Sequence, residues 1–300
     1  MPLLRVQAEK LSNNMLERGV IEEIIDKDQL FALLPFMRVN GKAYVYNREL
    51  ALSEGSFIDV NDTVTEGAAT FTEVVSKLRI LIGDVDVDKF EIETMSDVND
   101  QKAIQIGLKA KALARKFRRT LAIGDATGNP LEFDGVAKLV TVGQTIETAT
   151  NGAAVTLSNL DELKDLVKNG ADVLMMRSGT WRAIRALQRS LGGTVPENIQ
   201  LENFGVPVPA YDGIPVIVND FLPADETQGS SNVCCSIYAL RLNEMDGLHG
   251  IFGGDAAGIR VEDIGTVQNK DAERTRVKWY VGLALKATLS LARLKGVTNI

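Results

Sequence analysis

One stretch, from Ser96 to Gly124, constrains everything around it. Ser96 can cap a first turn, and Asp97 and Asp100 put negative charge where a helix dipole favours it. Ala103, Ile106, Ala110, Leu113, Phe117 and Leu121 then recur at spacings of three and four, which is one face of a helix. Gly124 reads as a left-handed residue that closes the run. About 25 helical residues would span about 37 Å, more than twice the ordinary helix. The opposite face is basic, with Lys102, Lys109, Lys111, Arg115, Lys116, Arg118 and Arg119, and residues 101–124 contain no acid. So long an apolar stripe needs an equally long surface to lie on. Near the other end of the chain Val277, Trp279, Val281, Leu283, Leu285, Ala287, Leu289 and Leu291 alternate strictly with more polar residues. As one strand of about 15 residues they would reach about 50 Å, a match in length.

The 300 residues suggest about two domains with ample core. Net charge is −7 and pI about 5.0, which argues against a chain that clings to nucleic acid. Charge is uneven: residues 36–100 hold 13 acids against 6 bases, and the basic helix face follows. The only cysteines, Cys234 and Cys235, are adjacent and would point to opposite faces of a strand, so they read as small buried fillers. No basic-then-apolar leader opens the sequence, and no uncharged apolar run approaches the ~20 residues of a membrane span. The expectation is a soluble protein made in the cytoplasm.

In chain order, residues 1–37 read as an arm, ending at Leu33-Leu34-Pro35-Phe36 and too short to be a domain. A hairpin pattern follows over 38–83. Tyr44, Tyr46, Leu50 and Leu52 alternate on one side; Val74, Leu78, Ile80 and Ile82 on the other. Its tip, Ser53–Thr70, is polar and acidic and far longer than the usual two to five residues. Phe57 and Ile58 in that tip form an apolar pair too bulky to leave in water without purpose. Residues 84–93 alternate as a strand leading into the helix. Asp84, Asp86 and Asp88 imitate the start of a calcium loop, but Lys89 stands where glycine is required, so a solvated strand face is expected. From 125 to 265 the texture is α/β. Ser158 is placed to cap a helix over 159–168, strands are expected over 172–176, 214–218 and 232–240, and a helix over 180–191.

Residues that could carry chemistry are few. One histidine and no cysteine cluster leave no zinc set, and no phosphate-loop, dinucleotide-binding or nucleophile-elbow motif occurs. No catalytic, cofactor-binding or metal-binding residue is assigned. Gly250–Gly258 could cradle an anion but lacks a lysine, so residues 247–258 read as a glycine-rich surface loop with His249 a loop residue.

Three short stretches occur in a telling order: Gly128-Asn-Pro-Leu-Glu-Phe-Asp-Gly135 after the helix, Ala171-Asp-Val-Leu-Met-Met-Arg-Ser-Gly-Thr-Trp181, and Tyr211-Asp-Gly-Ile-Pro-Val-Ile-Val-Asn-Asp220. Together with the order arm, hairpin, strand, long helix, α/β region and terminal strand, the chain resembles the major capsid proteins of tailed bacteriophages with the Hong Kong 97-like fold. The resemblance implies an α+β protein with an N-arm (1–37), an extended E-loop hairpin (38–83), a peripheral domain with a long spine helix and long strands (84–124 and 266–300), and an α/β axial domain (125–265). It implies a structural, non-enzymatic subunit that self-assembles in the host cytoplasm into pentamers and hexamers of an icosahedral virion capsid. Its partners would be further copies of itself and packaged double-stranded DNA, bound without sequence specificity. The resemblance leaves room for separate scaffolding, portal and decoration proteins and involves no membrane and no cofactor. Some relatives crosslink through an E-loop lysine, and residues 49–73 contain none, so that chemistry is not expected. Some relatives also carry a long N-terminal scaffolding segment, and the start of this chain at the arm points to a separate scaffold or none. Phe57, Ile58, Arg115 and Arg118 are the expected contacts between subunits. An encapsulin-type nanocompartment shares the implied fold and is the nearest alternative. An α/β enzyme using loop 247–258 is the alternative from another class.

Overall fold

The structure, a computed structural model, describes residues 33–53, 55–64, 66–95, 101–192, 198–200, 207–254 and 258–299. The expected arm up to residue 32 lies outside them. In chain order the first strands are β1 (Phe36–Val39), β2 (Ala43–Ala51), β3 (Thr70–Lys77), β4 (Arg79–Asp88), β5 (Thr145–Glu147), β6 (Val173–Met176), β7 (Asn198–Gln200) and β8 (Pro207–Tyr211). They are followed by β9 (Ile214–Val218), β10 (Glu226–Gln228), β11 (Ser231–Leu240), β12 (Leu248–Gly253), β13 (Arg260–Thr266), β14 (Ala272–Leu285) and β15 (Leu291–Val297). The first sheet runs β1-β12-β14-β13, with β4 also antiparallel to β14. The second runs β5-β15-β11-β6-β9-β8-β7, with β10 against β11. The pair β2-β3 stands apart as a two-stranded sheet.

The long helix spans Gln101–Ile123 and packs on the first sheet. Phe117 and Leu121 are buried with Trp279 and Val281 of β14, Leu113 is buried one turn earlier, and the Phe117 and Trp279 rings lie 4.8 Å apart. The expected partnership of helix and C-terminal strand is therefore present. The stripe is not uniform, since Ala103 is exposed and full burial starts at Leu113. The strand expected over 84–93 stops at Asp88, and Lys89–Met95 is a short helix. Asp88 ends the strand by accepting the Phe90 N–H on its Oδ1 at 2.8 Å, an N-cap interaction that alternation cannot reveal.

Gly124 does close the long helix, but not as a left-handed residue. A Cβ there would stand 2.3 Å from the Phe133 carbonyl oxygen, and the Gly135 N–H donates to the Gly124 carbonyl at 2.9 Å. Close backbone approach, rather than turn geometry, demands glycine.

The alternating C-terminal run is two strands, not one. β14 ends at Leu285, Thr288–Ser290 form a 3-10 turn, and β15 joins the second sheet beside β11 and β5. The Lys286 and Ala287 N–H groups donate to the Gly247 and Asp246 carbonyls, and Ser290 Oγ donates to the Asp246 carbonyl. That corner turns the chain while both flanking halves keep a buried face, so the pattern runs on unbroken in the sequence. Sheet membership likewise crosses the expected boundary near residue 265: β12 and β13 belong with β14, while β15 belongs with the α/β strands.

In the α/β region β9 lies where expected, and helices cover Leu157–Leu166 and Ser178–Ser190. Thr156, not Ser158, is the N-cap of the first, its Oγ1 accepting the Asn159 N–H. Cys234 and Cys235 are both buried on β11, in contact with Ser231 and Thr180 respectively.

Candidate functional site

The hairpin follows from simple alternation. Along β2, Tyr44, Tyr46 and Arg48 are half-buried while Val45, Asn47 and Glu49 are exposed. The Tyr44 and Tyr46 rings lie 5.2 Å apart and rest with Leu78 and Met37 on a small cluster of Val39, Ile251 and Ala284. Three hydrogen bonds moor this root to the end of β14. Tyr46 Oη donates to the Leu285 carbonyl at 2.5 Å, Arg48 Nη2 to the same oxygen at 2.6 Å, and Arg48 Nε to the Lys286 carbonyl at 2.7 Å.

Beyond the root the large apolar side chains of the hairpin are exposed among the described residues. Val45, Phe71 and Val75 are exposed on its strands, as are Phe57, Ile58, Val60 and Val64 in the tip. Phe57 is 108% exposed, as open as an aromatic ring can be. Asp59–Asp62 fold into a turn with Asn61 in the left-handed region (φ 73°), closed by the Asp62 N–H to the Asp59 carbonyl. A two-stranded hairpin is marginal in water by itself, and this one also presents an apolar array.

The two expected contact arginines sit differently. Arg118 is 6% exposed and turned into the fold, where Nη2 donates to the Val218 carbonyl at 3.2 Å and the guanidinium stacks 5.8 Å from the Phe221 ring centroid. Burial lowers its pKa, and the nearby Asp220 carboxylate opposes that. Arg115 is half-buried on the same helix. Lys102 bridges Asp263 of β13 and Glu273 of β14 at 3.0 and 2.9 Å, and Lys116 meets Glu132 at 2.5 Å. These partners come from the sheet beneath the helix and the loop after it, not from the acidic 36–100 stretch.

That stretch spends its strand acids within the fold instead. Register places Asp84 opposite Arg276 and Asp86 opposite Arg274. Each pair is bidentate, at 2.8 and 2.9 Å for Asp84 and 2.6 and 2.7 Å for Asp86. The arginine hydrogen bonds hold both carboxyls below the ordinary aspartate range, against a smaller opposing effect of burial. The expected solvated acidic face is thus a cross-strand ladder. The matching Asp-x-Asp and Arg-x-Arg spacings in two strands were the available signal.

The expected glycine-rich loop is largely strand. β1 runs parallel to β12 with Phe36 opposite Gly250, and a Cβ on Gly250 would lie 2.3 Å from the Phe36 ring. The glycine admits an aromatic ring, not an anion. His249 is fully buried on β12 rather than in a loop. Among the described residues no cluster of His, Cys, Asp or Glu could hold a metal ion, and no helix is long and apolar enough to cross a membrane.

No protein-family model matches the chain, and no curated protein does. Solved structures do. The SrpI encapsulin of Synechococcus elongatus PCC 7942, in its holo complex, superposes with a TM-score of 0.75 at 22% identity, over 99% of this chain and 97% of that one. The capsid of an empty GTA particle gives 0.71 at 14% identity over 96% of each chain. The cyanophage A-1(L) capsid gives 0.70 at 13% identity, over 99% of this chain and 100% of that one. Likeness over whole chains shows the Hong Kong 97-like capsid fold, α+β with two principal sheets.

Proposed function

We propose that this chain, folded as it is like Hong Kong 97-type capsid subunits, is the major structural subunit of a closed icosahedral shell, the head of a tailed bacteriophage. The supporting observation is the hairpin. It projects an apolar array that stays exposed among the described residues, and a neighbouring copy in a shell would supply cover. In this reading the first sheet and long helix form the peripheral domain, and the second sheet with its helices forms the axial domain. The hairpin is the E-loop, with Phe57 and Ile58 as contacts to the next subunit, and Arg115 is retained as a candidate contact. Pentamers and hexamers assemble in the host cytoplasm around double-stranded DNA, held without sequence specificity, as a net charge of −7 suits. The subunit needs no cofactor and catalyses nothing. Separate scaffolding, portal and decoration proteins are compatible partners.

A second reading, an encapsulin-type nanocompartment, is favoured by the TM-score of 0.75 to the cyanobacterial encapsulin. The contents of the particle separate the two. Expression followed by electron microscopy and sedimentation should give closed shells or free pentamers and hexamers. Nucleic acid inside particles made in the native setting supports the phage head, and cargo protein supports the nanocompartment. A compact monomer at every concentration would overturn both, and a ligand-dependent rise in melting temperature would then favour an enzyme.

A further inference from the structure

The chain has a single histidine, and the shell reading gives it no task. His249 is 0% exposed and lies directly beneath the hairpin root, where the Tyr44 ring of β2 packs edge-on at 6.1 Å between centroids, 76° between planes. Its hydrogen bonding is poor. Nδ1 faces the Gly247 carbonyl at 3.4 Å, and Nε2 is buried with no hydrogen-bond partner among the described residues. The charged groups nearby are unevenly matched. Lys286, just past β14, holds Nζ 5.7 Å over the same Tyr44 ring, and Glu244 lies in the turn before β12. Asp246 of that turn is engaged by Arg241 at 3.1 Å. On β14 the residue directly opposite is Ala284, and on β1 the register begins one residue further along, so neither strand places a carboxylate against the ring.

We propose that His249 is a proton-sensitive latch for the hairpin: neutral, it seats the root, and protonated, it releases Tyr44 and frees the hairpin from the end of β14. An imidazolium at this position would be a buried charge beside Lys286, with only the Gly247 and Asn243 carbonyls to favour it and no hydrogen-bond partner at Nε2 among the described residues. The Tyr44 ring closes the site on the hairpin side, and lifting it admits water. The moorings of Tyr46 and Arg48 are three hydrogen bonds to two carbonyls next to Lys286, so they go with it. The direction follows from linkage. Burial, assisted by Lys286 and opposed by the Gly247 and Asn243 backbone and by Glu244, holds the docked imidazole below its ordinary value of 6.5. The released form binds the proton better, so docking is fully favoured above pH ~6.5 and weakens as pH falls through that value, levelling off below the docked pKa. The mechanism is local and holds whatever the chain assembles into.

The experiment is hydrogen exchange read by mass spectrometry on the full-length protein, from about pH 7.5 to about pH 5 with intrinsic rates normalised. In the parent, the opening constant of β2 should rise by up to about tenfold per pH unit below ~6.5, while β11 in the second sheet stays level. His249→Gln should flatten that rise. Lys286→Met, which removes the neighbouring charge and leaves the imidazole, should shrink it, and serves if His249→Gln does not fold. Selective labelling of the lone histidine should give an NMR pKa below 6.5 in the folded protein. A flat parent profile, an unchanged slope in Lys286→Met or in folded His249→Gln, a parallel rise in β11, or a folded pKa at or above 6.5 would each overturn the latch.

Discussion

At Gly250 an absent side chain decides how two distant parts of the chain meet. The Phe36 ring occupies the Cβ position and stacks on to Trp279 and Phe117 at 5.7 and 6.2 Å. Gly250→Ala should therefore cost about 1–3 kcal/mol by overpacking, and Phe36→Leu in the same chain should restore part of the loss. Thermal melting of single and double variants checks this, and an unaltered melting temperature for Gly250→Ala would dismiss the steric account. The Asp84–Arg276 and Asp86–Arg274 ladder gives a pH prediction. Both carboxyls sit below 3.8, so their stabilisation is present above pH ~4 and fades as pH falls through the lowered folded values. Urea unfolding at descending pH should show a steeper acid loss for the parent than for Asp84→Asn/Asp86→Asn, and parallel slopes would refute it. The first left no signal in the sequence, and the second left only the matching Asp-x-Asp and Arg-x-Arg spacings, which mean nothing until the register is known. Glycines beside a histidine look like a loop until a ring from the start of the chain fills the gap. A row of aspartates looks solvated until register sets arginines across from it.

Elements were more legible than their surroundings, because periodicity is a local property. The long helix and the first hairpin strand announce themselves by spacing and β9 by its apolar run, but the alternation Val74–Ile82 expected in the hairpin breaks at Leu78 into β3, which pairs with β2, and β4, which pairs with β14. Such breaks, like the helix caps and the corner at Asp246–Gly247, depend on contacts from elsewhere. The basic helix face shows the difference in kind. Its charges are plain in the sequence, but not that Arg118 turns inward. Arg118→Glu should thus damage the subunit itself, by about 3–5 kcal/mol, since it buries an uncompensated carboxylate beside Asp220. Denaturant unfolding of the unassembled subunit tests this, and normal stability with defective assembly would return Arg118 to the subunit surface. The hairpin predicts the reverse pattern. Phe57→Ser with Ile58→Ser removes about 3–5 kcal/mol of potential burial per contact yet takes no buried side chain from the subunit, since both residues are exposed. Circular dichroism and melting should stay normal while particle yield falls. Full yield would exclude the tip from assembly, and a collapsed melting temperature would assign it to the core.

On the scale of the whole molecule, the order of parts was readable from the sequence, and the sheet to which each strand belongs was not. Strand partners are chosen by long-range register, and the C-terminal alternation fits two sheets as well as one. The consequence is interdependence: β15 fills the place between β5 and β11, with Leu291, Leu294 and Val297 fully buried. Losing those three side chains removes about 5–9 kcal/mol, comparable with the entire stability of a domain. A chain ending at Leu285 should therefore lose the second sheet, and a soluble truncated protein with native circular dichroism would contradict that. The moorings of the hairpin also acquire a mechanical meaning. Tyr46 and Arg48 grip the carbonyls of Leu285 and Lys286, the very peptides at which the chain leaves one sheet for the other. A tug on the hairpin is thus delivered to the joint between the two sheets rather than to the middle of either, so tension from outside the subunit enters beside the core that residues of both sheets share.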